Sequence, residues 1–330
     1  MSEFPDGMHA FLADAGWDDA LIEAIPGDAS FRRYFRLRRA SGESAMLMHA
    51  PPPEEDPKPF LHVARWLSDQ GMRAPAIFAD DAEKGWVLTE DFGDDRMKEW
   101  IEANPAQELG AYASAINALC QLHRQAPGPF DPYDIAVYQR EAGLFTEWFC
   151  PAAGIDADEA SFRAAWDEAL APVIAEQAPG VTVLRDYHAE NIMMLEPDDE
   201  GQGEQGLIDF QDALVGHPAY DLVSLLQDAR RDVSVELEAK MLGLYEAEMQ
   251  PDWDVAASYA VLGAQRNAKI VGIFTRLCKR DGKPKYLSLI PRVWEAMERD
   301  LQHPALAPVA AWFDANVPAH IREKRGDVLK

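Results

Sequence analysis

The chain of 330 residues has 57 acidic and 31 basic residues, which give a formal net charge of −26 at pH 7. No general basic surface is available to neutralise phosphates, which argues against a nucleic-acid-binding protein. The length and the apolar content of 48% are ordinary for a globular protein with one large or two small domains.

Targeting signals and cysteine pairing are both missing from the sequence. There is no run long and apolar enough to span a bilayer, and the acidic start lacks the basic and apolar regions of a signal peptide. Cys120, Cys150 and Cys278 have neither paired nor metal-ligand spacing, which predicts free thiols in a reducing compartment. We therefore expect a cytoplasmic monomer without nucleic-acid or membrane partners.

The first 92 residues predict a small, mostly β lobe. A short amphipathic helix is stopped by Gly16, and the turn-forming Ser41 and Gly42 separate two strands. A connector rich in proline and glutamate follows at residues 51–59. The predicted elements are a helix at 8–15, strands at 31–39 and 44–50, a helix at 60–69, and strands at 74–79 and 85–92.

Beyond residue 93 the hydrophobic pattern becomes helical. Helices are predicted at 106–125, 137–149, 158–177, 218–229, 235–248, 254–278, 285–301 and 305–315. A small β-rich lobe followed by a large, mainly helical lobe is an α+β fold with two domains, residues 1–92 and 93–330, and a hinge near residues 91–93.

A hairpin with a long acidic tip interrupts the helical part. Apolar runs at 191–195 and 206–210 flank this tip, which predicts two antiparallel strands. Their pairing would place Asn191 beside Asp209, with Asp186 just ahead of the first strand. Two carboxylates and an amide without a lysine between them are electrostatically costly unless a divalent cation is bound, and oxygen ligands suit Mg²⁺.

The same spacing is typical of phosphoryl transfer in kinases. There an aspartate accepts the proton of the acceptor hydroxyl, an asparagine five residues later holds Mg²⁺, and a following aspartate holds the bridging Mg²⁺. This predicts Asp186 as the catalytic base, with Asn191 and Asp209 as metal ligands. The alternative is a surface loop and a hairpin with incidental acids.

A turn and a strand at residues 27–34 lie where a kinase covers the nucleotide phosphates. Ser30 is a candidate contact in the turn, and the guanidinium of Arg32 or Arg33 can clamp phosphate oxygens. Because side chains alternate along a strand, only one of the two arginines can face the ligand. A plain structural turn is the alternative.

The segment from Asp186 to Asn191 resembles the D-x-H-x-x-N loop of the aminoglycoside phosphotransferase and choline kinase superfamily, and residues 208–210 resemble its I-D-F element. The resemblance implies a bilobal protein-kinase-like fold, nucleotide binding by residues 1–92, and use of ATP and Mg²⁺. Within this loop we expect His188 to make a positioning hydrogen bond, with a ligand or a base as the alternative.

Two further segments resemble the same superfamily. Residues 216–222 are similar to its G-x-P-x-x-D-L helix start, so Asp221 is expected to cap the helix or brace the catalytic loop. Residues 86–93 are similar to its adenine-binding segment, which implies backbone contacts around Glu90 and Phe92. An edge strand that ends in a turn is the alternative.

One feature departs from the general kinase pattern. The lysine of the second or third strand is missing, since that strand is Ala-Met-Leu-Met-His at 45–49, and the helix at 60–69 has no glutamate. Either Arg32 or Arg33 replaces the lysine, or the protein is a pseudokinase. The intact Asp186, Asn191 and Asp209 favour the replacement.

A basic window at residues 264–292 bears on the acceptor. It has one acid, Asp281, and eight bases: Arg266, Lys269, Arg276, Lys279, Arg280, Lys283, Lys285 and Arg292. If it faced the substrate, it would repel a polycationic aminoglycoside and suit an anionic or neutral acceptor. Arg266 and Lys269 are therefore candidate acceptor ligands, with a solvated helix face as the equal alternative, and Asp212 is a third candidate.

Several segments together resemble a narrower group, the anomeric kinases of N-acetylmuramate and N-acetylglucosamine in cell-wall recycling. They lie at 27–35, 48–52, 184–191, 207–214, 219–226 and 265–277. The resemblance implies phosphorylation of the C1 hydroxyl with ATP and Mg²⁺, and this group also lacks the kinase lysine. The alternatives are a kinase of another small alcohol, such as an aminoglycoside, choline or another hexose, and a non-catalytic nucleotide-binding pseudokinase.

Overall fold

The computed structural model describes residues 4–26, 31–195, 205–325 and 327–329. It divides into two compact units. The sheet unit comprises the residues up to Trp100 together with Asn191–Asp212, and the helical unit comprises Ile101–Glu190 and the residues from Ala213 onward. The chain therefore leaves the sheet unit and returns to it once.

The strands are β1 (Leu21–Ile25), β2 (Arg33–Arg38), β3 (Ser44–His49), β4 (Ile77–Asp81), β5 (Trp86–Glu90), β6 (Val181–Val183), β7 (Ile192–Met194), β8 (Gln205–Leu207) and β9 (Leu214–Gly216). The helices are α1 (Met8–Asp14), α2 (Lys58–Asp69), α3 (Met97–Ala103), α4 (Glu108–His123), α5 (Ile135–Ala142), α6 (Cys150–Ala152), α7 (Glu159–Glu176), α8 (Ala219–Leu226), α9 (Val235–Met249), α10 (Val255–Lys279), α11 (Ile290–Asp300), α12 (Ala307–Asn316) and α13 (Ala319–Lys324). A π-helical turn spans Phe145–Phe149, and 3₁₀ turns span Pro105–Gln107, Pro284–Leu289, Pro304–Leu306 and Asp327–Leu329.

The sheet unit is built on an antiparallel sheet in the order β1-β2-β3-β5-β4. Alternating side chains of the central strands give it two apolar faces. One face packs on α1, in a core of Met8, Leu12, Trp17, Phe35, Leu37, Ala45, Leu47, Trp86 and Leu88. The other face packs on α2, in a core of Met48, Ala50, Leu61 and Val87.

β1 is the strand of the five-stranded sheet that the sequence prediction lacks, as it also lacks the short β6 and β9. It lies at the sheet edge, and none of its five side chains is fully buried, so it shows no alternation of apolar and polar residues. The other predicted elements of this unit are present within a few residues of their predicted ends.

The hairpin predicted at 191–210 is confirmed. β7 pairs antiparallel with β8, with Ile192 opposite Leu207, and the N–H of Ile208 donates to the carbonyl of Asn191 at 3.1 Å. The tip at residues 196–204 lies outside the described residues.

The hairpin is anchored in the sheet unit, which shifts the domain boundary from the predicted one at residues 92 and 93. The N–H of Leu207 donates to the carbonyl of Arg73 at 2.8 Å, and the N–H of Met194 donates to the carbonyl of Asp95 at 2.7 Å. The ring of Phe210 stacks on Phe60 at 5.2 Å. Residues 93–100 and 191–212 therefore belong with the sheet, although the first 92 residues alone were predicted to form that domain.

The helical unit is organised around α10, which is buried along most of its 25 residues and packs on α5, α8 and α11. The carboxylate of Asp254 caps its start by accepting from the N–H of Ala257 at 3.0 Å. Gly272 lets the helix approach the preceding chain closely, because a Cβ there would lie 2.4 Å from the backbone of Leu144. The predicted α+β class, with a small sheet and a large helical part, is confirmed.

Four predicted helices differ in detail. The one at 137–149 is α5 followed by the π-helical turn, and those at 106–125, 285–301 and 305–315 begin in a 3₁₀ turn before α4, α11 and α12. No helix in the described ranges is both long and apolar enough to cross a membrane.

Candidate active site

The hairpin places Asn191 and Asp209 next to each other in the sheet unit. Their side chains are joined by a hydrogen bond of 3.3 Å from Nδ2 of Asn191 to Oδ2 of Asp209, and Gln211 donates to Oδ1 at 2.9 Å. Asp209 has a left-handed backbone with φ of +59°, a conformation that aspartate tolerates better than most residues other than glycine and that tends to occur at functional sites. The predicted proximity of the two side chains is therefore observed, and their metal-binding role stays a prediction.

The pair fits Mg²⁺ by the chemistry of its donors. Mg²⁺ binds oxygen, and at nucleotide sites it takes one or two carboxylates together with phosphate oxygens and waters. Asp209 supplies a carboxylate, and rotation of the Asn191 amide presents its oxygen in place of the nitrogen. In the part of the chain that the structure describes, no cluster of three or more His, Cys, Asp or Glu side chains could hold a metal ion. The phosphates of a nucleotide would have to complete the coordination.

In the helical unit, the loop before Asp186 is fixed by hydrogen bonds to its backbone N–H groups. The buried Asp221 in the first turn of α8 accepts from the N–H groups of Leu184 at 2.6 Å and of Arg185 at 2.9 Å. Burial raises the pKa of Asp221 to about 7. Arg185 has a left-handed φ of +70°. These are the contacts that the predicted bracing role of Asp221 requires.

The Asp186 carboxylate is partly open, with 45% of its side chain exposed, and it lies 3.9 Å from Nη2 of Arg266. Burial by itself would raise its pKa, but the positive charges of Lys269, His188 and Arg266 outweigh this and leave the pKa below its ordinary value. Asp186 is therefore ionised at neutral pH, as a proton acceptor must be.

Arg266 and Lys269, the predicted acceptor ligands, are both buried and paired inside the helical unit. Nη2 of Arg266 donates to Oγ of Ser224 at 2.8 Å. Nζ of Lys269 lies 3.1 Å from Oε1 of Glu141 and donates to the Tyr220 hydroxyl at 3.1 Å. Their acceptor role stays a prediction. Asp212, the third candidate, is an exposed residue of the sheet unit.

His188 is buried in the loop from Asp186 to Asn191, where a second set of contacts lies. Its Nε2 lies 3.0 Å from Nη1 of Arg230, whose Nε lies 3.0 Å from the Glu190 carboxylate. Asp228 accepts from the N–H of Ala189 at 3.2 Å and from the N–H of Arg230 at 2.7 Å. Sequence reasoning missed Asp228 and Arg230, which lie well beyond the motif.

The predicted phosphate contacts differ in their surroundings. Ser30 lies outside the described residues. Arg32 precedes β2 and pairs with Glu55, from Nε to Oε2, at 3.1 Å. Arg33 is the exposed first residue of β2, with its guanidinium 5.0 Å from the centre of the Phe35 ring. The two arginines therefore do not share one environment, and which of them contacts phosphate stays a prediction.

The predicted adenine-binding segment is held by two arginines within the sheet unit. Arg73 pairs with the Glu90 carboxylate at 2.5 Å and lies 4.7 Å from the centre of the Phe92 ring. The N–H of Glu90 donates to the carbonyl of Ala76 at 2.8 Å, so this donor is already used. The backbone contacts predicted around Glu90 and Phe92 stay predictions.

Arg36 is the second of these arginines, and sequence reasoning missed it. Its buried guanidinium binds the carboxylates of Asp91 at 2.8 Å and Asp94 at 2.7 Å, and it donates to the carbonyl of Gly93 at 2.9 Å. The run of arginines in β2 was the available signal, but the partners lie more than fifty residues away.

We expect Gly206→Ala to destabilise the sheet unit and to weaken ATP binding. A Cβ at Gly206 would lie 2.6 Å from the Phe92 ring, which has Arg73 near it, so the ring must move. Overpacking of this kind costs about 1–3 kcal/mol. The free energy of unfolding in urea and the KM for ATP measure the effect.

Gly243→Ala is the matched control. Gly243 lies within α9, and nothing is within 4 Å of its Cβ position, so alanine should stabilise that helix by roughly 0.5–1 kcal/mol. If the two variants showed the same change in free energy of unfolding and in KM for ATP, the close contact between residue 206 and the Phe92 ring would not be the cause.

Residues 21–259 match the phosphotransferase enzyme family. A protein of Caulobacter vibrioides named N-acetylmuramate/N-acetylglucosamine kinase is 38% identical, covering 97% of this chain and 99% of its own. A protein of Pseudomonas aeruginosa with the same name is 35% identical, covering 87% and 86%.

Solved structures share the fold at low identity. The choline kinase LicA from Streptococcus pneumoniae is 14% identical with a TM-score of 0.62, covering 92% of this chain and 99% of its own. The ADP-bound aminoglycoside phosphotransferase APH(2'')-Ib is also 14% identical with a TM-score of 0.62, covering 89% and 97%.

Proposed function

Since this chain belongs to the phosphotransferase enzyme family, we propose that it is a kinase that uses ATP and Mg²⁺ to phosphorylate the anomeric (C1) hydroxyl of N-acetylmuramate, N-acetylglucosamine or both, in peptidoglycan recycling. The observation that carries the proposal is the segment from Asp186 to Asn191. It supplies an ionised carboxylate in one unit and, in the other, an amide beside Asp209. The relatives named for these two sugars support the choice of acceptor.

The roles are divided between the two units. Asp186 accepts the proton of the C1 hydroxyl, whose oxygen forms a bond to the γ-phosphorus of ATP while the bond from that phosphorus to the bridging oxygen breaks and ADP leaves. Asn191 and Asp209 would hold Mg²⁺, which neutralises charge on the phosphates. Asp221 and His188 keep the loop around Asp186 in place through the contacts described above.

The test is a panel of acceptors with ATP and Mg²⁺, read by phosphorus NMR of the product. A phosphate on C1 shows a coupling to the anomeric proton, and this signal is expected with N-acetylmuramate or N-acetylglucosamine. Product from choline or an aminoglycoside alone would replace the acceptor in the proposal. Nucleotide binding without turnover of any acceptor would make the protein a pseudokinase.

Arg32→Ala or Arg33→Ala is expected to raise the KM for ATP strongly, while the other variant is nearly silent. The reason is that one guanidinium replaces the missing kinase lysine, and the two side chains have different surroundings. Steady-state kinetics with varied ATP measures this. Arg38→Ala, an exposed arginine at the far end of β2, is the control. If neither variant changed the KM for ATP, neither arginine would replace the missing lysine at the phosphates.

The remaining assignments are proposals from the sequence. Ser30, Glu90 and Phe92 contact the nucleotide, and Asp212 approaches the acceptor. A cytoplasmic location and the absence of nucleic-acid and membrane partners are proposed from the sequence, and a monomeric state is proposed beside them.

A further inference from the structure

A buried network of charges lies against Asp186 and is not explained by the assigned roles. Its first member is Arg266, which is only 3% exposed. One terminal nitrogen of Arg266, Nη2, both faces the Asp186 carboxylate at 3.9 Å and donates to Ser224 at 2.8 Å. The Ser224 hydroxyl in turn donates to the carbonyl of Arg185 at 3.1 Å. Arg266 therefore reaches the base twice, directly and through the backbone of the residue before it.

Arg185 is the point where these contacts converge. Its left-handed φ of +70° is unfavourable for a residue with a side chain, so surrounding contacts must maintain it. Its N–H is bound by Asp221, its carbonyl by Ser224, and its guanidinium by the carboxylate of Glu141. A residue held at three points fixes the direction in which the next residue, Asp186, leaves the backbone.

Lys269 closes the network one helical turn beyond Arg266. It pairs with the same Glu141 carboxylate that binds Arg185 and also donates to Tyr220. Burial by itself would raise the pKa of Glu141, but Lys269 and Arg185 outweigh this and lower it. Glu141 is therefore a charged partner for both Lys269 and Arg185. The charge of Lys269 is thus paired within the helical unit.

We propose that Arg266 is a positioning residue for Asp186, with Ser224 as the bridge between them, and that Arg266 does not bind the sugar. This inference rests on the proposed kinase function. The burial of Arg266, its hydrogen bond to Ser224 and its distance from Asp186 support the positioning role. Nη1 of Arg266 is buried and has no hydrogen-bond partner among the described residues, an arrangement that packing stability alone does not favour.

Positioning and sugar binding predict different kinetics. A base displaced by about 1 Å can lose on the order of 10²-fold in rate while substrate affinity is kept. A contact with the lactyl carboxylate would instead change the KM for N-acetylmuramate and leave N-acetylglucosamine unaffected. Comparing the changes in kcat and KM between N-acetylmuramate and N-acetylglucosamine therefore separates positioning from sugar binding.

The experiment compares Arg266→Gln, Arg266→Lys and Ser224→Ala with the wild-type protein on both sugars. Arg266→Gln should lower kcat by roughly 10–100-fold, by the same factor for both sugars, with acceptor KM values within about threefold of wild type. Arg266→Lys should recover part of the loss, and Ser224→Ala should lose roughly 2–10-fold, the rate equivalent of one neutral hydrogen bond. If Arg266→Gln does not fold, the other two variants decide.

Arg322→Gln is the matched control. Arg322 lies in α13 and binds the carboxylates of Glu298 and Asp314, so its loss removes comparable ion pairs from the same unit without a contact to the catalytic loop. Its kcat should equal that of the wild type. A matching loss of kcat in this control would mean that the Arg266 effect is general destabilisation.

A double mutant tests the connection between the residues. If Arg266 acts through Asp186, then Arg266→Gln should cause no further loss of kcat in an Asp186→Asn background. Multiplied losses, or a raised KM for N-acetylmuramate alone, would overturn the proposal.

Inactivity of the wild type on both sugars would count against the proposed function and not against this contact. Urea unfolding of the wild type, Arg266→Gln, Asp186→Asn and the double mutant then measures the coupling between Arg266 and Asp186 directly. Non-additive shifts of the midpoint support it, and additive shifts overturn it.

Discussion

Replacing Asp186 by asparagine is expected to lower kcat by roughly 10²–10⁴-fold, the usual contribution of general base catalysis. Asparagine keeps the size of the side chain but cannot accept a proton. The loop should keep its place, because Asp221 and Ser224 hold the backbone next to residue 186 and not its side chain. Steady-state kinetics gives kcat, and calorimetric titration should show that Mg·ATP binds with nearly its original affinity.

Asp252→Asn is the control for this prediction, since Asp252 is an exposed aspartate of the helical unit. It should leave both kcat and Mg·ATP affinity unchanged. Turnover of Asp186→Asn within threefold of the wild type would reject Asp186 as the base. Loss of Mg·ATP affinity in that variant would assign it to the nucleotide and not to the acceptor proton.

Replacing Asp209 is expected to abolish the Mg²⁺-dependent part of ATP affinity and, with it, turnover. The reason is that Asp209 supplies the carboxylate of the proposed metal site, beside the neutral amide of Asn191. Titration of ATP with and without Mg²⁺ measures this effect without a need for acceptor or activity.

Two substitutions separate the charge of Asp209 from its backbone. Its φ of +59° is costly for alanine, whereas asparagine tolerates a left-handed backbone. Asp209→Asn should therefore lose Mg²⁺ dependence as fully as Asp209→Ala but unfold less readily. Asp212→Asn, three residues on, should bind Mg·ATP as before. Unchanged Mg·ATP affinity in both Asp209 variants would remove this residue from the metal site.

The sequence predicted the proximity of Asn191 and Asp209 because its signal is local. Two apolar runs of equal length around a polar tip fix a hairpin, and the register then places residue 191 opposite residue 208 and next to 209. The strands β2, β3 and β5 were also predictable, since their buried side chains give an apolar pattern. Edge strand β1 has no such pattern and was missed.

The support for the site depends on partners far apart in the chain, which one sequence does not reveal. Glu141 pairs with Arg185, which lies 44 residues later in the chain, and Arg36 pairs with Asp91, which lies 55 residues later. Glu141 also pairs with Lys269. Nothing in the local pattern of α5 separates a buried acid from a solvated one. The acceptor role predicted for Lys269 came from its charge and its place within the helix of the basic window, and the structure adds that this charge already has a partner, Glu141.

The return of the chain to the sheet unit at Asn191–Asp212 has a consequence for biosynthesis. The five-stranded sheet is complete when Trp100 has been made, but the hairpin that contacts Arg73, Asp95 and Phe60 is made only later. At the usual speed of synthesis this interval is on the order of ten seconds. During it, the part of the sheet unit that later contacts the hairpin has no partner from this chain, so a nascent chain is expected to depend on chaperones most strongly between these two points. A fragment that ends at Trp100 should for the same reason be less soluble than the full chain.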